Sequence, residues 1–327
     1  RDPDVTELVL AHLSDPHLTD LGGVRGRELL SKRILGYLSW RTHRRHVHRS
    51  EVLDTLLTDL RGVAPDQVVI TGDLTHIGLP HEFRQAAAWL PRIGAPDRVF
   101  VIPGNHDAYR WAPWSETFAL WAPYLASDPG APAASTDGRD PLPTLRVRNG
   151  VALIGLSTAR PSPPFMATGR IGRGQLEALG DLLRTTGEQG LFRVLLIHHP
   201  AVPGSIRWRK RLTDAPALAA VLAERGVELV LHGHAHRDSR LWLPTPAGRA
   251  PVIGVRSASM HGEDAARRAQ YHLFRISDRG GAWNVRLSVR EYVPDEHRFA
   301  PVDAWEVELP GPRERDKESE SGTETET

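Results

Sequence analysis

The sequence predicts an α/β protein in which a second sheet packs on the first. Three observations carry this. Five short runs of Val, Ile and Leu recur over the first 231 residues: Leu8 to Leu13, Gln67 to Thr71, Arg98 to Ile102, Phe192 to Ile197 and Val227 to Leu231. Segments with helical apolar spacing lie between several of them, over 50–61, 82–90, 173–183 and 214–224. Beyond residue 240 the apolar segments follow one another with no helical pattern between. Short, nearly continuous apolar runs suit strands covered on both faces, and strand–helix alternation points to a parallel sheet.

The helices follow from spacing. In Ser50 to Arg61 the apolar residues Val52, Leu53, Leu56, Leu57 and Leu60 form one stripe, the i, i+3, i+4 pattern of a helix face turned to a core. Asp214 stands where a side-chain oxygen would cap the helix over Asp214 to Glu224. The C-terminal third reads as strands: Arg240 to Leu243, Pro251 to Arg256, Tyr271 to Ile276, Trp283 to Glu291 and Val302 to Leu309. Within it "WNVRLSVREY" alternates as a half-solvated antiparallel strand does. Ala126 to Pro143, rich in Pro, Gly, Ser, Ala and Asp, reads as a loop. Gly311 to Thr327 has almost no apolar residue and reads as a disordered charged tail. One domain over 1–310 is expected, with a basic amphipathic insertion at about 20–49 and the tail at 311–327.

Composition removes several function classes. The 327 residues are 40% hydrophobic and 25% charged, with a formal charge of +1, so global charge gives no reason to expect nucleic-acid binding. The absence of cysteine excludes disulfides, thiol nucleophiles and thiolate metal sites. No apolar stretch is long enough to span a bilayer, and Arg1 to Thr6 lacks a signal-peptide pattern. A cytoplasmic protein is the expectation.

Each of the five runs ends in polar residues of ligand type: Asp15 and His17, then Asp73, then Asn105, His106 and Asp107, then His198 and His199, then His234 and His236. In open α/β sheets this carboxyl edge is where crevices form. Asp15 and His17 are two apart, as are His234 and His236, so on extended strand ends the members of each pair would face the same way. Two carboxylates, an amide oxygen and four imidazoles exceed one tetrahedral ion. They suit two first-row ions a few ångströms apart, with one carboxylate shared.

The series "DPH", "GD", "GNHD", "HHP" and "GHAH" resembles the calcineurin-like metallophosphoesterase superfamily, over about Leu8 to Leu309. That resemblance implies a four-layer α/β/β/α sandwich of two packed mixed sheets flanked by helices. It implies that Asp15, His17 and His236 hold one metal, that Asn105, His198 and His234 hold another, and that Asp73 bridges them. It implies that a hydroxide between the ions attacks phosphorus, that His106 contacts the phosphate and supports the leaving group, and that Asp107 orients His106. The metal identity stays open among Mn, Fe and Zn. His199 reads as a supporting residue. His12, His76, His232 and His261 read first as packed or surface histidines, with lining the site as the alternative.

Departures narrow the branch. The chain has "GDLTHIG" where protein Ser/Thr phosphatases of the superfamily carry "GDxVDRG", and "GNHD" where they carry "GNHE". "LSDPHL", "GDLTHIGLPHEF", "IPGNHD" and "HHP" together look most like the class III cyclic-nucleotide and glycerophosphodiester phosphodiesterases. The implied function is metal-dependent hydrolysis of small phosphodiesters. Two alternatives stand beside it: hydrolysis of a lipid-linked or nucleotide pyrophosphate of the UDP-diacylglucosamine type, and a non-catalytic metal-binding scaffold.

The stretch between His17 and Ser50 departs from that branch. It holds Arg25, Arg27, Lys32, Arg33, Arg41, Arg44, Arg45 and Arg49 beside Leu29, Leu30, Ile34, Leu35, Tyr37, Leu38 and Trp40. A second basic-aromatic patch, "RWRKR", spans Arg207 to Arg211. Three readings compete: a solvated helix docked on the body or on a second subunit, a cap over a bulky anionic substrate, and a surface that rests on anionic lipid. Expected partners are thus a small phosphodiester, an anionic membrane touched peripherally through 25–49, and a second copy in a homodimer. Trp111, Trp114 and Trp121 are either a wall for such a cap or core.

Overall fold

Alternation along strand β1 (Glu7–Leu13) sets up the architecture. Val9, Ala11 and Leu13 join one buried cluster and Leu8 and Leu10 another, so this strand is covered on both faces. The structure is a computed structural model that describes residues 7–18, 20–29, 31–131, 142–262 and 264–311. In it β1 pairs in parallel with β2 (Gln67–Ile70), and β2 with β3 (Val99–Val101). The link from β1 to β2 contains a short helix, α1 (Arg33–Ser39), a π-helical turn over Trp40–Arg44, and the long helix α2 (Ser50–Val63). Helix α3 (Pro80–Ile93) links β2 to β3.

The second sheet starts with a hairpin of β4 (Thr144–Arg148) and β5 (Val151–Gly155). Helices α4 (Arg173–Glu188) and α5 (Ala215–Arg225) then alternate with β6 (Phe192–Leu196) and β7 (Leu229–His232), and β5, β6 and β7 run parallel. Strands β8 (Ser239–Thr245) and β9 (Gly248–Gly254) complete that sheet in the order β4-β5-β6-β7-β9-β8. The chain then returns to the first sheet through β10 (Gln270–Asp278), β11 (Ala282–Val293) and β12 (Arg298–Pro310), in the order β12-β11-β10-β1-β2-β3.

Three apolar clusters separate four layers. Val52, Leu56 and Leu60 of α2 and Phe83 of α3 pack on Val9, Val68 and Val101. Leu10, Val69 and Phe100 meet Leu153, Phe192 and Leu231 between the sheets. Leu179 and Leu183 of α4 and Leu218 and Leu222 of α5 cover Ile154, Leu195 and Val230. Phe100 and Phe192 are fully buried at the centre, where truncation to Ala costs about 3–5 kcal/mol.

The four-layer α/β/β/α sandwich matches the expectation, but its wiring corrects the simpler picture. The five apolar runs do not form one sheet. The first three lie in one sheet and the last two in the other, and the C-terminal strands divide between them because β10 adds antiparallel to β1, Leu10 opposite Phe274. The β4–β5 hairpin was not among the expected strands, though it carries a hairpin signal: Asn149-Gly150, both at positive φ (48° and 77°). Asp214 stands at the N-cap of α5 but makes no capping bond. Its carboxylate instead accepts from the N–H groups of Ile171 and Gly172, which fixes the entry to α4. Helices over 80–93 and 173–188 run longer than their apolar stripes. Most of the loop expected over 126–143, Leu30 of the insertion and the tail from 312 to 327 lie outside the described residues.

Candidate metal centre

The parallel strands of both sheets end at one edge, and the ligand-type residues sit in the turns there. Backbone bonds stitch those turns together. Asp15 N–H donates to the Gly72 carbonyl (3.0 Å), His17 N–H to Asp73 (3.2 Å) and Gly233 N–H to His198 (3.1 Å). Asp15, His17, Asp73, His234 and His236 all have positive φ, between 43° and 66°. Non-glycine residues seldom adopt this region, and such strain gathers at functional sites. This corrects the expected extended strand ends. The left-handed turns aim His234 and His236 into different groups rather than along one face.

Two groups result. Asp15, His17 and His236 bring one ligand atom each within 4.8 Å of one another, and Asp73, His198 and His234 do the same. Asn105 joins the second group, its Oδ1 lying 3.2 Å from His198 Nε2. Gly104 permits this crowding: a Cβ there would fall 2.2 Å from Asp73 Oδ1 and 2.4 Å from its backbone nitrogen. Asp15, Asp73 and His198 are fully or almost fully buried.

The histidines are tied in the manner of cation ligands. His17 Nδ1–H donates to the Thr75 carbonyl (3.0 Å), His198 Nδ1–H to Thr71 (2.6 Å) and His234 Nε2–H to Lys210 (3.0 Å). At His17 and His234 the bond leaves the other ring nitrogen as a lone pair, the tautomer a cation selects. His17 Nε2 is buried and has no hydrogen-bond partner among the described residues, which is costly unless something occupies the space before it. Burial, reinforced by His48 and His76, pushes the His17 imidazole well below its usual range. Burial would do the same to His198, but the Asp73 carboxylate 3.3 Å away prevails and holds it up at about 9. Burial likewise raises Asp73. Burial also favours a neutral Asp15, yet His236 and His198 outweigh it and draw that carboxyl well below the usual range. A proton on His198 thus stands where a cation would, so uptake of a cation releases it. The donor set of carboxylate, amide and imidazole fits two such ions.

Among the described residues Asp107 makes no hydrogen bond to the His106 ring. Its carboxylate accepts from the backbone N–H of Asp73 (2.9 Å), Thr75 (2.9 Å) and Gly104 (2.9 Å) and from the Thr75 hydroxyl (3.1 Å). Where orientation of His106 was expected, the carboxylate bonds clamp two loops, because its short side chain points back into the turn where those N–H groups converge. His106 is positioned instead by Nδ1–H donation to the His76 carbonyl, and the His76 N–H in turn donates to Glu82 (2.6 Å). Burial and Arg44 push the His106 imidazole well below its usual range.

Two residues escaped sequence reasoning. Arg44, at the end of the π-helical turn, places Nη1 3.1 Å from His106 Nε2. His48, one helical turn on in sequence, packs its ring 4.6 Å from that of His17 and bonds Ser259 Oγ (2.7 Å). Both line the cavity above the ligand groups, about 660 Å³, with Asp73, Asn105, His106 and Lys210. The Arg-x-x-x-His spacing, which puts both on one helix face, was the available signal. His199 is a support: Thr158 Oγ1 (2.7 Å) and the Ala167 carbonyl (3.2 Å) occupy both its ring nitrogens, and it packs behind His234. His12 and His232 are buried below the site, and His76 stacks on His17, while His261 packs against Tyr292. Trp121 is core, Trp114 packs partly buried beside it, and Trp111 is exposed.

Fold and site together define a protein built to hold two adjacent cations at the carboxyl edge of a double-sheet sandwich. The chain belongs to the calcineurin-like phosphoesterase family, whose sequence model matches residues 8–238. It is 30% identical over 238 residues, 70% of this chain and 62% of the relative, to a cAMP/cGMP dual specificity phosphodiesterase of Mycobacterium tuberculosis. The chain thus spans somewhat less than two thirds of that curated relative. In structure it is similar to a dimetal phosphatase from Danio rerio, with a TM-score of 0.57 and 14% identity over 93% of this chain and 98% of that one. That likeness concerns the fold.

Proposed function

We propose that this chain hydrolyses phosphodiesters with the help of two bound metal ions. The observation that carries the reading is the pair of three-residue groups beside one cavity, with the buried His17 Nε2 left without a hydrogen-bond partner among the described residues. Asp15, His17 and His236 would hold one ion, Asn105, His198 and His234 the other, and Asp73 both. Such ions, Mn, Fe or Zn, would lower the pKa of bound water and neutralise phosphoryl charge.

The chain's own residues bind and orient. Arg44 offers guanidinium N–H groups to a non-bridging phosphate oxygen, and Lys210 adds a second positive charge in the same cavity. His106, its Nδ1–H on the His76 carbonyl, presents Nε2 to the cavity beside Arg44; carrying a proton there, it would donate to the phosphate oxygen and support the leaving group. Burial beneath the loops excludes water and strengthens each of these interactions.

The named activity of the M. tuberculosis relative supports small diesters as substrates, cyclic nucleotides or glycerophosphodiesters among them. A second reading, a lipid-linked or nucleotide pyrophosphate, is favoured by Arg44, which the insertion adds to the cavity. A cytoplasmic location, contact of residues 25–49 with an anionic membrane and a homodimer belong to the same proposal. Among the described residues no helix is long and apolar enough to cross a membrane. The test is turnover of bis(p-nitrophenyl) phosphate, cAMP and a lipid pyrophosphate by metal-free protein with and without added Mn. Mn-dependent release of p-nitrophenol supports the reading. Protein that binds Mn yet turns over none of the three is the scaffold.

A further inference from the structure

We propose that the rim of this cavity docks on an anionic lipid bilayer, with the mouth of the site turned toward the headgroups. Three segments distant in sequence form that rim. Lys32 Nζ, just before α1, donates to the Ser162 carbonyl (2.8 Å) and hydroxyl (2.9 Å). The loop that follows Ser162 is tied to the next segment by Ala167 N–H on the Arg209 carbonyl (2.9 Å) and Gly169 N–H on Arg211 (3.2 Å). Arg44, Ala167 and Lys210, one from each segment, line the same cavity.

This rim exposes what a soluble surface usually hides. Ile34 and Leu38, one turn apart on α1, are each 49% exposed, Trp208 62% and Phe165 78%. Single exposed apolar residues are ordinary, but four on three segments that these bonds tie together call for a partner. Around them stand Arg41, Arg45, Arg207, Arg209 and Arg211, all exposed. Among the described residues none of these five pairs with a carboxylate, whereas the neighbouring Arg49 lies 3.6 Å from Glu51. The whole chain carries only +1, so this positive charge is local. Interleaved cations and large apolar side chains are the signature of a face that lies in a membrane interface. Ile34 and Leu38 decide between partners. Branched aliphatics give nothing to a nucleic acid, whose bases stack on aromatics, but they gain by burial among acyl chains. A second copy presenting the same cationic face would be repelled.

The inference does not depend on which phosphoester is cut. Its test is co-sedimentation of the full chain with phosphatidylglycerol–phosphatidylethanolamine vesicles, with phosphatidylcholine vesicles as comparison, across a salt series. Binding to the anionic vesicles is expected, weakening with salt. Arg41→Gln with Arg45→Gln, or Arg207→Gln with Arg209→Gln, should each weaken it, about fivefold per cation. Ile34→Glu with Leu38→Glu should weaken it at least about tenfold, while hydrolysis of soluble bis(p-nitrophenyl) phosphate stays unchanged in every variant. No binding to anionic vesicles at low salt overturns the proposal. So does apolar-variant binding equal to wild type, and so does tighter binding to a DNA oligonucleotide that only the arginine variants lose. Turnover without vesicle binding would sink this proposal alone, and vesicle binding without turnover would sink the catalytic reading alone.

Discussion

Asp107 offers the sharpest contrast between what its motif suggests and what its contacts do. Asp107→Ala removes the acceptor for three backbone N–H groups and one hydroxyl, all at 2.9 to 3.1 Å. An orphaned buried donor costs about 1–3 kcal/mol, so three would cost on the order of 3–9 kcal/mol. Two effects bring this toward the lower end. Water enters the space left behind, and burial with the neighbouring Asp73 already pushes the Asp107 carboxyl up to about 7, so its removal relieves some strain. For a chain of this length a loss of about 3–4 kcal/mol corresponds to a fall in Tm of roughly 4–6 °C. Because two of the bonds fix the Asp73 and Gly104 backbone, the variant should also hold Mn more weakly. Asp107→Asn, which keeps one acceptor oxygen, should fall between. Thermal unfolding by circular dichroism, with metal content by mass spectrometry, checks both. If Asp107→Ala kept its Tm and its metal but lost turnover, the carboxylate would be acting on His106 and the clamp would be refuted.

Two further outcomes follow from other contacts. Arg44→Ala should leave bound metal unchanged and lower kcat/KM for an anionic diester about 10- to 100-fold, as for loss of one charge-assisted bond; steady-state kinetics with unaltered metal content would establish it, and unchanged kinetics would remove Arg44 from the site. His272 is fully buried, and burial, aided by Arg240, pushes it down to about 3 from the ordinary 6.5. Between those values the unfolded chain binds the extra proton, so stability is present above about 6.5 and is lost as pH falls toward 3. From pH 7 to pH 5 this one group should remove about 2 kcal/mol, a loss His272→Gln lacks; parallel urea-unfolding results for the two proteins would contradict it.

Much of the site was legible because its residues lie in turns directly after their own strands. "GNHD" and "GHAH" follow short apolar runs, and such runs are readable wherever both faces are buried. What the runs did not disclose was partnership. Nothing local in Leu8 to Leu13 says that residues near 274 pair with it, so the division of the strands into two sheets stayed hidden. The left-handed backbone at Asp15, His17, His234 and His236 was equally invisible, since it is imposed by the packing of neighbouring turns rather than by residue type. Asp107 misled because a carboxylate beside a histidine fits two roles, and only the convergence of N–H groups chooses. Arg44 was hidden among the insertion's cations, where one that turns inward looks like those that do not.

The central claim is that seven residues hold two ions with Asp73 between them. Crystals grown with Mn and measured at the Mn absorption edge test it most directly. The account predicts two anomalous peaks in the cavity, one against Asp15, His17 and His236 and the other against Asn105, His198 and His234, both within reach of the Asp73 carboxylate. A single peak, or peaks away from Asp73, would contradict it.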